Sequence, residues 1–387
     1  ARLSAIVIGV MMIGPLTSGL LLEHFCWGSV FLVTVPLAAI AFALAWVLIP
    51  AHVNETTEPV DHQGGLLSMV LIASLVLAIN FAAVPGGWGI GLACAAVALI
   101  AGAFFVRRQQ RVENPLFDLT VARRRIFWVA AVAGIIVFGT LMGTMYIGQQ
   151  FLQNVLGYDP LESGVSVIPM SIAMVAVAAL SAKMVVARGS RATLLLGYLF
   201  FLVGFAVMLV LWDVSTPYWA IALAYIFVGL GVGFAGTPAS HSLTASVPVH
   251  RAGMASGTAD LQRDLGGAVM QSILGVLLTV GYGAAIASAV ASSPQSNLVN
   301  DEIQTQLQKS YAGAEAVGAQ YPQYQSVIEE AARKAFLEGS NAAYAAGIIA
   351  ILIAVAITWF AYPRKQDELD LVAQYQREDT QSPTGVH

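Results

Sequence analysis

The amino-acid sequence predicts an all-α polytopic membrane protein, and three observations carry that prediction. Of 387 residues, 58% are hydrophobic and only 10% are charged, with a mean hydropathy of +0.75. Soluble domains carry about 25% charged residues. The apolar residues gather in about ten segments of roughly the 20 residues that a spanning helix needs, at 3–22, 27–49, 66–83, 88–106, 126–152, 161–182, 193–212, 217–240, 255–288 and 340–362. Lys and Arg crowd alternate links, and the short links between those hold none. Arg2 precedes the first span, and Arg107, Arg108, Arg111, Arg123, Arg124 and Arg125 follow the fourth. Lys183, Arg188 and Arg191 follow the sixth, Arg251 the eighth, and Arg364 with Lys365 the tenth. Links 84–87, 153–160 and 213–216 hold neither residue type. Basic residues stay on the cytoplasmic side, so both ends are expected there, in a multi-pass protein of the cell membrane. An even number of spans agrees.

The net charge of −4 says little, because position matters more than sum. Cys26 and Cys94 fall in or beside apolar segments and give neither a disulfide framework nor metal spacing. The first apolar run lacks a signal-peptide cleavage site. The chain begins at Ala1 with a helix a few residues later, which is the expectation for a fragment missing its N-terminal part.

In the first span, GVMMIGPLTSGLL places Gly9, Gly14 and Gly19 for close helix approach. Pro15 bends the helix; a packed, kinked helix of no special role reads the same way. Trp27 stands at an interface before the second span. After a polar link, spans three and four join at Pro85-Gly86-Gly87 and hold almost no polar group except Asn80. Such a pair is expected against lipid. The basic link 107–125 reads as a boundary between two bundles.

The fifth span offers Gly139 and Gly143 as a close-packing face, then Tyr146, Gln149, Gln150 and Gln153 near its outer end. These last form a cavity wall or ordinary polar caps of an interfacial helix end, and the residues alone leave both readings open. Gly157-Tyr158-Asp159-Pro160 is a turn, with Glu162 solvated at the outer surface. Gly229 to Ser240 in the eighth span is rich in glycine, which suits a helix that bends or one that packs tightly. His241 and His250 are expected solvated near its cytoplasmic end.

The ninth span organises the rest. Gly253, Gly257, Asp260, Asp264, Gly267, Gln271 and Gly275 form one small and polar stripe at helical spacing, opposite Met254, Leu261, Leu265, Val269 and Ile273. Asp260 and Asp264 lie roughly 14 and 20 Å along the helix from Arg251, within a hydrocarbon core ~30 Å thick. Carboxylates there must face protein or a water-filled cavity, and they are functional candidates. Arg263 points about 100° from Asp264 and is expected to pair with another helix or the cytoplasmic edge. A structural ion pair locking two helices, or a gate, is the competing use of these charges.

From Ser292 to Gly339 the composition turns polar on the outer side. Ile303, Leu307 and Tyr311 mark one helix face, and Val327, Ala331, Ala335 and Leu337 another, broken at Tyr321-Pro322. An outer helical hairpin follows, either a cap on an exit or a tolerated insertion. The charged tail 364–387 is expected to be disordered.

These residues resemble a known family. GVMMIGPLTSGLL resembles the antiporter motif of major facilitator drug exporters, with Ser18 where a second glycine is usual. Trp27 to Pro36 looks like the pattern that follows it, with Thr34 in place of asparagine. QQFLQNVLGYDPLESGVSVIP is similar to the outer end of helix nine in the fourteen-helix group. Gly253 to Gly267, with Arg263 and Gly266, looks like helix thirteen. The resemblance covers most of the chain and points to the QacA/EmrB-like drug:proton antiporters. On that map the ten spans are helices five to fourteen, and the first four are absent. Residues 1–50 hold the last two helices of the N-terminal bundle and 51–111 the link with two linker helices. Residues 112–288 hold five helices of the C-terminal bundle, 289–339 the outer hairpin, and 340–363 the last helix. Lys183, Arg188, Gly189 and Arg191 look like a degenerate counterpart of the family's cytoplasmic loop.

The resemblance implies proton-coupled export of lipophilic or cationic drugs by alternating access. A carboxylate in a low-dielectric site exchanges protons nearer neutrality; Asp264 is the first candidate for that role and Asp260 the second. Tyr146, Gln149, Gln150 and Gln271 would line the substrate path. The energy source would be the proton gradient with no cofactor, the partners a small lipophilic substrate, protons and membrane lipid, with an envelope partner fitting the hairpin. No nucleic-acid, nucleotide, metal or nucleophile–base motif appears, so an enzyme is not expected. A lipid or metabolite exporter of the same fold, or a membrane scaffold or sensor that does not transport, are the rival readings.

Overall fold

The computed structural model describes Gly14 and residues 17–48, 61–82, 86–112, 115–248, 252–293 and 299–381. The described residues are helical, and nine of their helices are long and apolar enough to cross a membrane. In chain order they form α1 (17–24), α2 (Ser29–Leu32), α3 (Thr34–Leu48), α4 (His62–Ala82), α5 (Trp88–Gln109), α6 (Leu119–Ala122), α7 (Arg125–Asn154) and α8 (Pro160–Ser166). Then follow α9 (Ile168–Arg188), α10 (Ser190–Leu211), α11 (Tyr218–Ala245), α12 (Ala252–Ser292), α13 (Asp301–Lys309), α14 (Tyr311–Gln320), α15 (Gln325–Ala361) and α16 (Lys365–Gln381). The second to tenth expected spans are all present. Most of the first lies outside the described residues, with Gly9 and Pro15.

The buried core sits among α7, α9 to α12 and α15. Phe151 stacks on Trp212 with ring centroids 4.8 Å apart, and Trp212 makes edge contacts with Tyr225 and Tyr344 at 5.9 and 5.8 Å. In α11, Gly229 and Gly233 fit against the Met170 and Met174 carbonyls of α9. Tight packing therefore accounts for that glycine-rich run. Asp159 and Glu162 cap α8 reciprocally, at 2.7 and 3.1 Å.

The seam between α7 and α12 is the closest approach that positions the site. A Cβ at Gly139 would lie 2.6 Å from the Gly266 carbonyl oxygen, and one at Gly266 would collide with the Ile135 carbonyl. Gly143 leaves room for Leu274 and Met270. Beside them Gln262 is buried, and its amide donates to the Ala130 and Ala131 carbonyls at 2.7 and 3.1 Å. Gly134 makes the space for that amide.

The apolar early helices behave differently. α3 buries none of its side chains. α4 and α5 pack on each other, with Gly91 against the Ala78 carbonyl and Gly102 against Leu71. Their polar contact with the bundle is Asn80 to Ser272 of α12, at 2.9 Å. At the basic end Asp61 is buried and accepts from Gly64 N at 2.9 Å, Arg108 Nε at 2.7 Å and Gln109 Nε2 at 2.9 Å.

Several of the cations at this end also cap helices. Arg124 donates to Ser246 O, Arg125 to Ala361 O, Arg191 to Trp359 O and Lys365 to Ala187 O, at 2.7, 2.6, 2.6 and 3.2 Å. These carbonyls end α11, α15 and α9, where the helix dipole is negative.

Two expectations are corrected. The tail is a helix, α16, as far as Gln381, because its charges find partners. Asp379 pairs with Arg124, whose guanidinium lies 4.7 Å from the Tyr375 ring centroid. Glu368 accepts from Ser190 N and Tyr362 Oη, each at 3.1 Å. Residues 382–387 lie outside the described residues. The hairpin boundary also moves. Val327 to Leu337 belong to α15, which runs unbroken through the last span, and α12 extends to Ser292. Ser310 separates α13 from α14 and caps the latter at Gly313 N, so Tyr311 starts a second helix.

Two outcomes follow from this packing. Burial alone would push the Asp61 carboxyl up, but the Gly64 amide, Arg108 and Gln109 outweigh it and hold it below the usual carboxylate range. Its stabilisation is therefore full above the ordinary carboxylate pKa of about 3.9 and fades as pH falls through the lower folded value. Asp61→Asn should cost about 1–3 kcal/mol near pH 7 and flatten the acid limb of thermal unfolding. An unchanged acid limb would show that Asp61 holds nothing. Gly266→Leu should overpack the seam and cost about 1–3 kcal/mol. Gly236→Ala, whose Cβ would meet Phe138 at an ordinary 3.7 Å, should leave the melting temperature within the error of the scan.

Candidate functional site

The polar stripe of α12 lies on one face, as its period requires, and that face is open except at Gly267, which is buried, and Gly275, which is half-buried. Gly253, Gly257, Asp260, Asp264 and Gln271 are exposed, and a Cβ at Gly253 or Gly257 would meet nothing within 4 Å. The buried face of α12 is the neighbouring line Ala255, Thr258, Gln262 and Gly266. Asp260, Asp264 and Gln271 are thus not packed inside this bundle. Asp260 and Asp264 stand roughly 12 and 18 Å along the axis from Ala252.

Three side chains of α7 run beside the stripe at one-turn intervals. The Arg263 guanidinium lies 5.3 Å from the centroid of the Phe138 ring. Met142 covers Gly267, where a Cβ would sit 3.0 Å from its Cγ, and Tyr146 covers Gly275 at 3.3 Å. The ridge Phe138–Met142–Tyr146 and the stripe therefore form one continuous surface. Arg263 reaches α7 through Phe138 and at the same time pairs within its own helix, its Nη1 lying 3.5 Å from Asp260 Oδ1. That ion pair is open to solvent, and the Asp260 side chain is 67% exposed. Asp264 has no cationic partner among the described residues.

Beyond Tyr146 the surface continues in amides. Gln149 Nε2 donates to Ser163 O of α8 at 3.2 Å, and Gln150 Oε1 accepts from Asn154 Nδ2 at 2.8 Å. Gln150 is committed to its own helix and Gln149 ties α7 to α8, while Gln271 stays exposed one turn from Gly275. In the antiporter-like segment, Gly19 is buried against α8, with its Cβ position 2.9 Å from Leu161 Cα. Gly14 meets nothing within 4 Å.

Sequence reasoning missed Gln262 and Phe138. The signal for Gln262 was its place one turn before Gly266 on the line of small residues that meets Gly134 and Gly139. Phe138 reads as an ordinary apolar residue until Arg263 is seen above it. Among the described residues no group of three or more His, Cys, Asp or Glu side chains is placed to hold a metal ion. The arrangement can hold one net negative charge beside an aromatic and thioether ridge, with amides at its far end. That suits charge compensation and apolar contact, and it offers no nucleophile–base pair.

Comparison with known proteins agrees with this architecture. Residues 1–271 match the Major Facilitator Superfamily profile. The chain is 30% identical over 353 residues to the multidrug efflux pump LfrA of Mycolicibacterium smegmatis, covering 91% of this chain and 68% of that protein. It is 27% identical over 380 residues to the methyl viologen resistance protein SmvA of Salmonella typhimurium, covering 94% and 72%. It is 28% identical over 274 residues to the multidrug resistance protein Stp of Mycobacterium tuberculosis, covering 70% of this chain and about half, 51%, of that protein. With its apolar helices and a family match over most of its length, the chain belongs to the major facilitator superfamily as a multi-pass membrane protein.

Proposed function

We propose that this chain serves proton-coupled export of lipophilic or cationic compounds, as a member of the fourteen-helix drug:proton antiporter group. The observation that carries the reading is the joint surface of Asp260, Arg263 and Asp264 with the Phe138–Met142–Tyr146 ridge. The names of the similar proteins, two multidrug proteins and a methyl viologen resistance protein, support the same class of cargo.

The coupling follows from counting charge. Two carboxylates and one guanidinium leave one negative charge on the face. Either a proton or a monovalent organic cation neutralises it, and both together leave an excess positive charge. Closing a low-dielectric cavity over net charge is costly. The two neutral states can therefore be carried across, and the doubly occupied and empty ones cannot. Asp264, lacking a cation, is the proposed proton carrier, and Asp260 with Arg263 is its balanced neighbour. Tyr146, Gln149 and Gln271 contact the cargo, and the basic end faces the cytoplasm.

The test is efflux of a fluorescent lipophilic cation from proteoliposomes holding the full chain, driven by an imposed pH gradient. Asp264→Asn should lower gradient-driven efflux by about tenfold or more, within the usual range of coupling between two ligands, with monodisperse elution and melting unchanged. Asp264→Glu should restore part of it. Efflux by Asp264→Asn at the parent rate would exclude Asp264 as carrier, and loss of folded protein in both variants would favour a structural lock.

A further inference from the structure

α15 finishes at the basic end of the bundle, and two arginines close on its last turn from neighbouring helices. Arg125, the first residue of α7, donates through Nε to Ala361 O at 2.6 Å and through Nη2 to Phe360 O at 3.4 Å. Arg191, in the first turn of α10, donates through Nη2 to Trp359 O at 2.6 Å, and its guanidinium lies 5.0 Å from the centroid of the Trp359 ring. These carbonyls span about 3 Å of helix rise, so both cations sit at one helix end. A guanidinium carries five N–H groups, and these bonds use two of them on Arg125 and one on Arg191. Neither arginine pairs with a carboxylate among the described residues. Glu368, on the helix that follows, is turned to Ser190 N and Tyr362 Oη. The carbonyl end of a helix supplies only about half a negative charge, so roughly one and a half positive charges stay unmatched here.

From the two arginines an apolar stripe runs back along the same helix. Ile349, Leu352, Ile353, Ala356, Trp359 and Phe360 are exposed, Phe360 by 80%. At about 100° per residue they fall on one face, opposite the buried Ala354 and Thr358. The stripe is about 17 Å long, close to the ~15 Å that one leaflet contributes to a hydrocarbon core of ~30 Å. Trp359 and Phe360 close it at the arginine end, where aromatic side chains sit at headgroup level. Contact with hydrocarbon explains the stripe and its aromatic end. It does not explain two guanidiniums that keep spare donors and unmatched charge. Guanidiniums match the oxygens of a phosphate in geometry as well as in charge.

We propose that this face of α15 binds an anionic phospholipid, with the phosphate between Arg125 and Arg191 and one acyl chain along the stripe. Basic pockets beside membrane helices attract anionic headgroups in the same way. The site shares no residue with the α12 stripe, and its occupancy requires neither cargo nor gradient.

The experiment uses the full chain in phosphatidylcholine nanodiscs with a minor fraction of phosphatidylglycerol that carries a diazirine in one acyl chain. Labelled peptides are mapped by mass spectrometry. Label should concentrate on residues 349–360 and be competed by unlabelled phosphatidylglycerol. A phosphatidylcholine with the same diazirine should label that stretch no more than it labels α3 to α5. Arg125→Gln with Arg191→Gln should lower labelling of 349–360 about tenfold, the equivalent of 1.4 kcal/mol in binding. Arg107→Gln, which removes a charge from an exposed residue of α5, should leave it unchanged. Equal labelling by the two lipid analogues would overturn the proposal, leaving ordinary hydrocarbon contact. Competition by soluble glycerol phosphate would overturn it in favour of a free-phosphate site, and a stripe without label would reject it outright. Should the double variant not fold, Arg125→Gln decides alone, because Arg125 is exposed. It should lower labelling roughly threefold, half of that free energy, and unchanged labelling would reject the site.

Discussion

Everything the open face presents depends on how closely α7 runs against α12. Membrane helices gain no hydrophobic drive from meeting each other, so close backbone approach and interhelical hydrogen bonds must supply the association. Gly139 and Gly266 provide the approach, since each has backbone where a side chain would stand. Gln262 provides the bonds, reaching two carbonyls of α7 from a fully buried position. Such bonds contribute about 0.6–2 kcal/mol each in a membrane. Their geometric effect is larger than that figure suggests. With the axes held this close, Phe138, Met142 and Tyr146 fall against Arg263, Gly267 and Gly275 on three successive turns. A wider seam would leave the same residues on two unrelated faces.

A second constraint acts at the basic end. The arginines and lysine there mark topology in the sequence, yet in the fold four of them reach last-turn carbonyls of α9, α11 and α15. A cation at a helix C-terminus satisfies an orphan acceptor and complements the dipole at once. Arg124 adds a third function, because it also holds Asp379 and Tyr375 and so docks α16. One end of the bundle is thereby tied across helices that are far apart in sequence.

What the sequence made legible follows from which signals are local. Nine spans could be placed because length and apolarity need no partner to be read. The stripe of α12 was legible by its period and the turn at Gly157 to Pro160 by its residues, whereas the cap that Asp159 forms with Glu162 was not read. Partnership was not legible. The tail looked disordered because Lys365, Glu368 and Asp379 register as charge until Ala187, Ser190 and Arg124 are beside them. Tyr311 looked continuous with Ile303 and Leu307 because Ser310 carries no strong break signal, although it caps α14. For the candidate site, the sequence offered the polar residues, whereas Phe138 and Gln262 did not stand out, since one is an apolar residue beside a charge and the other a polar residue in the packed seam.

The chain exposes two chemically distinct surfaces, and the difference bears on what each meets. α3 to α5 expose Leu37, Ile40, Phe42, Trp46, Leu92, Leu99 and Phe104. Hydrocarbon would satisfy such a surface at no cost, and α4 meets α12 through Asn80 and Ser272, at 2.9 Å. α12 exposes Gly253, Gly257, Asp260, Asp264 and Gln271 instead. Placed against lipid, a single aspartate there would cost about 2.5–3.5 kcal/mol even on the mildest scale, and glycines would offer lipid little apolar area in return. Water or a second protein wall removes that cost. The proposed exchange of a proton for an organic cation draws on the same property: the face is stable when wet, and it can be closed only when its one negative charge has been matched.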